Sequence, residues 1–181
     1  HTPEAERGLS FGADNRSLVY SSERNGKRDL YIAKISRKED LNFPNATLIE
    51  EEPLIHDKKL ERDYPQFSPD GKVVAFIEDR NRLMVVNLDT KKIRQVTDGS
   101  TWYTRSGGFD YSWSPDGKWF TLEFIGNKHD PYSDIGLVSA DGKGQIINLT
   151  NSGYISESPR WVMDGNAILF ITERYGMRNH A

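Results

Sequence analysis

One ten-residue signature recurs four times in this chain of 181 residues. The copies are Phe11-Gly-Ala-Asp-Asn-Arg-Ser-Leu-Val-Tyr20, Phe67-Ser-Pro-Asp-Gly-Lys-Val-Val-Ala-Phe76, Trp113-Ser-Pro-Asp-Gly-Lys-Trp-Phe-Thr-Leu122 and Trp161-Val-Met-Asp-Gly-Asn-Ala-Ile-Leu-Phe170. Each opens on Phe or Trp and sets an aspartate three positions later: Asp14, Asp70, Asp116 and Asp164. Successive starts lie 56, 46 and 48 residues apart. A period of that length marks one supersecondary unit that is stable only when its neighbours cover it.

The signature itself reads as strand, turn, strand. Asp hydrogen-bonds the backbone two residues on, Gly accepts positive φ, and Asn15 replaces Gly in the first copy as the next-best residue there. The second strands, Val73 to Ile77, Trp119 to Phe124 and Ala167 to Ile171, are nearly continuous apolar runs. A sheet with one wet face would alternate, so these sheets are expected to be covered on both faces. Third strands are expected at Leu30 to Ile35, Leu83 to Leu88 and Ile135 to Val138. Fourth strands are expected at about Ala46 to Ile49, Ile93 to Val96 and Gln145 to Leu149.

Four strands per period of roughly 45 residues is the mark of a propeller blade. The expectation is an all-β chain, a partial β-propeller of about three and a half four-stranded antiparallel blades. They fall at about residues 5–55, 61–100, 107–152 and, as a half blade, 155–175. A β-sandwich has regularly spaced strands too, but no reason to repeat a four-strand unit with one aromatic-x-x-Asp signature. Leu54 to Asp63 is the one stretch that reads as a helical turn or two. Phe11, Phe67, Trp113 and Trp161 are expected to be buried between blades.

Composition narrows the function. The 24 Lys and Arg against 27 Asp and Glu, net −3, form no basic stripe of the kind that neutralises nucleic-acid phosphates. The longest apolar runs have five residues, against about 20 for a membrane-spanning helix, and no stretch reads as a signal peptide. With no cysteine there is no disulfide, thiolate metal site or Cys nucleophile. A chain that begins at His1 reads as excised from something larger.

Further features carry a resemblance. Ser68-Pro69-Asp70-Gly71-Lys72 and Ser114-Pro115-Asp116-Gly117-Lys118 precede apolar strands, Ser22-Glu23-Arg24-Asn25-Gly26 precedes Asp29-Leu30-Tyr31, and later strands close on Val96-Thr97 and Leu149-Thr150. This pattern resembles the WD-like propeller repeat of TolB, tricorn protease and prolyl-oligopeptidase-type enzymes, over the whole chain. The first copy departs from it at Gly12-Ala13-Asp14-Asn15 and the fourth at Val162-Met163. Thr2 to Arg7 and Thr172 to His180 are most similar to bacterial tricorn-type serine peptidases. That resemblance implies a non-catalytic segment that scaffolds an enzyme and guides or filters peptides, attached to the remaining domains of a parent with a PDZ-like module and a peptidase region, in the periplasm or otherwise exported. The alternative is a TolB-like protein-interaction propeller attached to no enzyme.

Chemistry within the chain itself is sparse. There is no Gly-x-Ser-x-Gly elbow, and His1, His56, His129 and His180 sit in no catalytic context, so no catalytic residue is expected. His129-Asp130 with Asp134 invites a metal reading, but the setting from Asn127 to Ser133 reads better as a solvated hairpin loop, and neither a metal nor a cofactor is expected. The four repeated aspartates occupy equivalent turns of different blades. Symmetry therefore spreads them apart, whereas glycosidase carboxylates must converge within about 10 Å. Residues just ahead of the innermost strands reach the mouth of a propeller's channel: Glu6 and Arg7, Arg62 and Asp63, Gly108 to Asp110, Ser156 and Glu157. Both signs of charge there suit contact with the termini and backbone of peptides or unfolded polypeptide, and equally suit a rim of internal ion pairs. The sequons Asn15-Arg-Ser, Asn45-Ala-Thr and Asn148-Leu-Thr are expected by chance and stay unmodified under a bacterial reading. An open-ended ring, with one blade face and one half-built sheet uncovered, is expected to self-associate.

Overall fold

The computed structural model describes residues 6–55, 60–100, 108–126 and 132–174. Fourteen strands form four antiparallel sheets among them. The first holds β1 (Glu6–Phe11), β2 (Ser17–Ser22), β3 (Asp29–Ile35) and β4 (Ile49–Pro53) in that order. The second holds β5 (Arg62–Phe67), β6 (Val73–Glu78), β7 (Arg82–Asn87) and β8 (Ile93–Gln95). The third holds β9 (Tyr111–Trp113), β10 (Trp119–Phe124), β11 (Asp134–Ser139) and β12 (Ile147–Asn148), and the fourth pairs β13 (Ser156–Val162) with β14 (Ala167–Thr172). Strand order equals chain order in every sheet, as hairpin-linked blades require. The chain divides into two compact units, His1–Arg94 and Gln95–Ala181.

In the first unit, sheets one and two share a core. Val19, Leu30 and Ile32 from one meet Val74, Phe76, Met84 and Val86 from the other, with Leu54, Ile55 and half-buried Phe67 and Leu88 beside them. Burying each such side chain fully contributes about 1.5–3 kcal/mol. The opposite face of sheet one carries Tyr20, Tyr31 and Ala33, with Leu18 and Phe43 packed on them. Middle strands are therefore buried on both faces, which is why β6 and β7 read as nearly unbroken apolar runs. In the second unit, Phe120, Leu122, Ile135 and Val138 form the equivalent buried rows.

The Asp-containing turns show why their residues recur. In Ser68-Pro-Asp-Gly-Lys72, the Ser68 hydroxyl donates to Asp70 Oδ1 at 2.6 Å and accepts from the Val73 amide at 3.0 Å, while Asp70 Oδ1 accepts from the Lys72 amide at 3.1 Å. Ser114, Asp116, Lys118 and Trp119 repeat this at 2.6, 3.1 and 2.9 Å. Gly71 and Gly117 take the left-handed conformation, and Asn15 does so at φ 54°. The first copy has Gly12 where the serine stands, and its hydroxyl has moved to Ser17, so Asp14 itself accepts from the Ser17 amide and hydroxyl at 2.9 and 2.8 Å. The fourth copy, without a hydroxyl, makes a short 3-10 turn at Met163–Gly165 with Asp164 at φ 53° and no side-chain cap.

The Ser68 and Ser114 hydroxyls, then the Lys72 and Lys118 amides, hold the Asp70 and Asp116 carboxyls below the usual range. A folded-state value below the unfolded one stabilises fully above the unfolded pKa and fades as pH falls through the folded one. We expect acid unfolding below about pH 4 to be less steep in Asp70→Asn than in the parent. Fluorescence-detected unfolding from pH 5 to 2.5 measures it, and identical profiles would show the turn carboxylate uncoupled from folding.

Three expectations need correction. The fourth strand of sheet one begins at Ile49 rather than Ala46, because the Asn42 side chain accepts from the Asn45 amide and Pro44 sits in the first turn of a 3-10 helix at Phe43–Asn45. The stretch from Leu54 to Asp63, expected to hold a helical turn or two, gives its last two residues to β5, which Arg62 opens, and Leu54 donates to the Leu30 carbonyl at 2.8 Å, while residues 56–59 lie outside the described residues. The repeated aromatics are not equivalently buried. Phe67, Trp113 and Trp161 are half-buried, while Phe11 is 59% exposed, touched edge-on by Phe43 at 5.7 Å. They stand at the ends of first strands, beside the turn, where cover depends on the neighbour present; Trp113 finds Phe120 at 4.0 Å.

The long first period also has its reason here. Residues 36–48 form an excursion between β3 and β4, where Arg16 donates to the carbonyls of Ile35, Arg37 and Asp40, and Asp40 accepts from the Thr47 amide.

Candidate functional site

The innermost strands share a feature beyond the repeat signature. The ladder slips between Arg7 and Ser10 in β1, between Asp63 and Gln66 in β5, and between Glu157 and Arg160 in β13. The residue three before the aromatic is left-handed at each slip: Gly8 at φ 62°, Tyr64 at 52° and Ser158 at 55°. A bulge frees backbone from the ladder and re-aims side chains. The freed Tyr64 amide donates to Asp63 Oδ1 at 2.8 Å, and the Ser158 amide to Glu123 Oε1 at 2.6 Å. A Cβ at Gly8 would meet Tyr64 Cα at 3.0 Å, so that glycine lets one bulge sit against the next.

Glu6, Arg7, Arg62, Asp63 and Glu157 stand on the bulged strands, and Asp110 just ahead of β9. In the first unit Arg62 and Asp63 are buried among paired charges, while Glu6 and Arg7 are exposed. Glu6 pairs with Arg24 at 3.3 Å, which also pairs with Glu51 at 3.1 Å and lies 4.2 Å over the Tyr31 ring. Arg7 offers its carbonyl to the Ser21 hydroxyl at 3.1 Å. Asp63 accepts from the same hydroxyl at 2.6 Å and from Arg28 at 2.6 Å. Arg62 is 1% exposed, held between Asp29 at 3.2 Å and Glu78 at 3.4 Å.

In the second unit half-buried Asp110 and Glu157 surround a buried acid. Glu123 is buried, with the Ser158 and Asp110 amides on its two oxygens. Burial pushes its carboxyl above the usual range, and the charges of Asp110 and Glu157 add to that. Asp110 accepts from the Ser158 hydroxyl at 3.1 Å and meets Arg160 at 3.5 Å, with both side chains of that pair about half exposed. Glu157 is half-buried. Asp110 and Glu157 are thus brought together around Glu123, which repeat alignment did not single out because it sits within an apolar second strand.

Asp14, Asp70 and Asp116 cap turns, as their recurrence implies. His1, His56, His129 and His180 lie outside the described residues, as does Asp130. Asp134 accepts from Thr150 and Asn148, and no group of three potential ligands that could hold a metal occurs among the described residues.

Hairpin-ordered four-stranded sheets at a 46 to 56 residue period, with one turn chemistry, define a partial β-propeller. By sequence and by structure its homologues are TolB-like and tricorn-protease-like. The chain is 24% identical over 153 residues to the Tol-Pal system protein TolB of Francisella tularensis, covering 80% of the chain and 31% of that protein. It is 28% identical over 141 residues to a protein of Sulfurisphaera tokodaii described as a tricorn-like protease C-terminal subunit, covering 75% and 15%. The crystal structure of TolB from Acinetobacter baumannii superposes with a TM-score of 0.68 at 20% identity, over 92% of this chain and 37% of that one. The crystal structure of the tricorn protease gives 0.66 at 16% identity, over 96% and 16%. The chain therefore spans less than two fifths of the length of each of these relatives. No protein-family profile matches it.

Proposed function

We propose that this chain is a non-catalytic propeller segment of a tricorn-like serine peptidase, one that scaffolds the parent and guides or filters unfolded peptides. The observation supporting it most directly is the group of Asp110, Glu157 and Arg160 at a bulged inner strand, where a half-exposed ion pair presents both signs of charge to solvent and so to peptide backbone and termini. The 141-residue similarity to the tricorn-like subunit agrees with it. Titration with a denatured, alkylated polypeptide tests it. Binding that weakens in Asp110→Asn and Glu157→Gln, without cleavage, is expected. Cleavage by homogeneous protein, or no binding, would overturn it. The second reading, a TolB-like interaction module, draws on the longer alignment to TolB; preference for a folded protein partner over unfolded chains would favour it. Both readings place the parent in the periplasm or otherwise outside the cytoplasm.

Self-association belongs to the same proposal. Among the described residues β14 pairs with β13 alone, and its Leu169, Phe170 and Ile171 are exposed. The edge strand β4 is protected by Glu50, Glu51, Glu52 and Pro53, whereas β14 carries neither charge nor proline. Light scattering across concentrations is expected to show a dimer of this chain, and a monodisperse monomer at high concentration would refute it.

A further inference from the structure

We propose that the cleft between β11 and β14 receives the side chain of an arginine carried by a bound polypeptide. The proposal rests on the peptide-guiding reading and gives it a chemical preference. It comes from comparing one place in the fold that the molecule builds twice.

Backbone hydrogen bonds establish the equivalence. The Arg62 amide donates to the Arg28 carbonyl at 3.0 Å, and the Ser156 amide to the Ser133 carbonyl at 2.8 Å. Asp79 bonds Glu61 at 2.9 Å as Glu173 bonds Ile155 at 3.1 Å, and Leu54 bonds Leu30 as Leu149 bonds Ile135, both at 2.8 Å. Ser156 therefore stands where Arg62 does, Asp134 where Asp29 does, Thr172 where Glu78 does, and Arg174 where Arg80 does.

In the first unit that place is filled from within by the Arg62 guanidinium, between Asp29 and Glu78. In the second unit serine replaces the arginine, and a cleft of about 230 Å³ opens. Its walls are Ile135, Leu149, Ile168 and Phe170, suited to the methylene stem of a long basic side chain. Ser156 lies at its base, wholly buried, its Oγ without a hydrogen-bond partner. Asp134 remains nearby. Its carboxylate accepts from Thr150 Oγ1 at 2.7 Å and Asn148 Nδ2 at 2.8 Å, both neutral donors, and no cation pairs with it among the described residues. An apolar ligand would leave the Ser156 oxygen unanswered and bring no charge to Asp134, whereas a planar guanidinium carries a donor for the one and a cation for the other. Arg174 at the mouth does not forbid a second cation, because its counterpart Arg80 stays mostly exposed above the buried Arg62.

The probes are a blocked Gly-Gly-Arg-Gly-Gly peptide and its citrulline version, which has the same shape without the charge, titrated into the 181-residue chain by amide-resolved NMR. The arginine peptide is expected to shift Ser156, Ile135 and Phe170, with the citrulline peptide at least tenfold weaker. Ser156→Arg refills the place from within and is expected to abolish arginine binding with the spectrum otherwise retained. Asp134→Asn, which needs no refilling, is expected to weaken the arginine peptide tenfold and leave the citrulline peptide unchanged. Equal binding of the two peptides, or arginine binding insensitive to Asp134→Asn, would overturn the arginine site while leaving the peptide-guiding reading intact. Failure of the arginine peptide and of denatured polypeptide alike would overturn both.

Discussion

Arg62→Ala is expected to destabilise the protein by about 3–5 kcal/mol, the range found when one partner of a buried ion pair is removed. The arginine side chain is 1% exposed, and its removal takes the buried cation from the Asp29 carboxylate, 13% exposed, and leaves a void beside Glu78. Glu78 keeps Arg82 at 3.3 Å, so the loss falls mainly on Asp29. The control is Arg82→Ala: that guanidinium is 30% exposed and partly replaced by water, so about 1 kcal/mol or less is expected. Urea unfolding of the two variants decides the matter. Similar midpoints would mean that the Arg62 pairs are no stronger than surface pairs.

The second large effect is expected at Phe76. Its side chain is completely buried in the core shared by sheets one and two, and Phe76→Ala should cost about 3–5 kcal/mol through lost transfer energy and the cavity left behind. Phe11→Ala, at a position the repeat makes look more important, should cost well under half of that, because Phe11 is 59% exposed. A calorimetric comparison is sufficient. If Phe11→Ala proved the more damaging, the exposed face of sheet one would have to be covered in solution by something that orders it.

Much of the fold was legible because its chemistry is local. A Ser-Pro-Asp-Gly-Lys turn works through bonds spanning two to five residues, so it must appear as fixed letters at fixed offsets. Strands buried on both faces must likewise be mostly apolar. The candidate site was less legible, because its partners are distant in sequence. Nothing near Arg62 announces Asp29, and nothing near Ser158 announces Glu123. The bulges left one trace, Gly8 three residues before Phe11. Tyr64 and Ser158 adopt the same conformation without the residue that would have advertised it. Phe11 was misjudged for another reason: a repeat predicts equivalent positions but not equivalent neighbours.

The bulged strands also bear on how such a protein can be rearranged. The bulges of β5 and β13 are each met by a different group from the preceding sheet: the Ser21 hydroxyl reaches the Asp63 that caps Tyr64, whereas Glu123 caps Ser158 directly. A hydroxyl facing an acid and an acid facing a bare amide are not interchangeable. A duplicated second blade spliced after the third would set Asp63 where Glu157 stands, and because Asp63 caps the Tyr64 amide itself, the buried Glu123 would lose the amide it now accepts from Ser158. The sheets look like copies, yet their seams carry an address, and a shuffled gene would encode blades that fold locally and refuse their new neighbours.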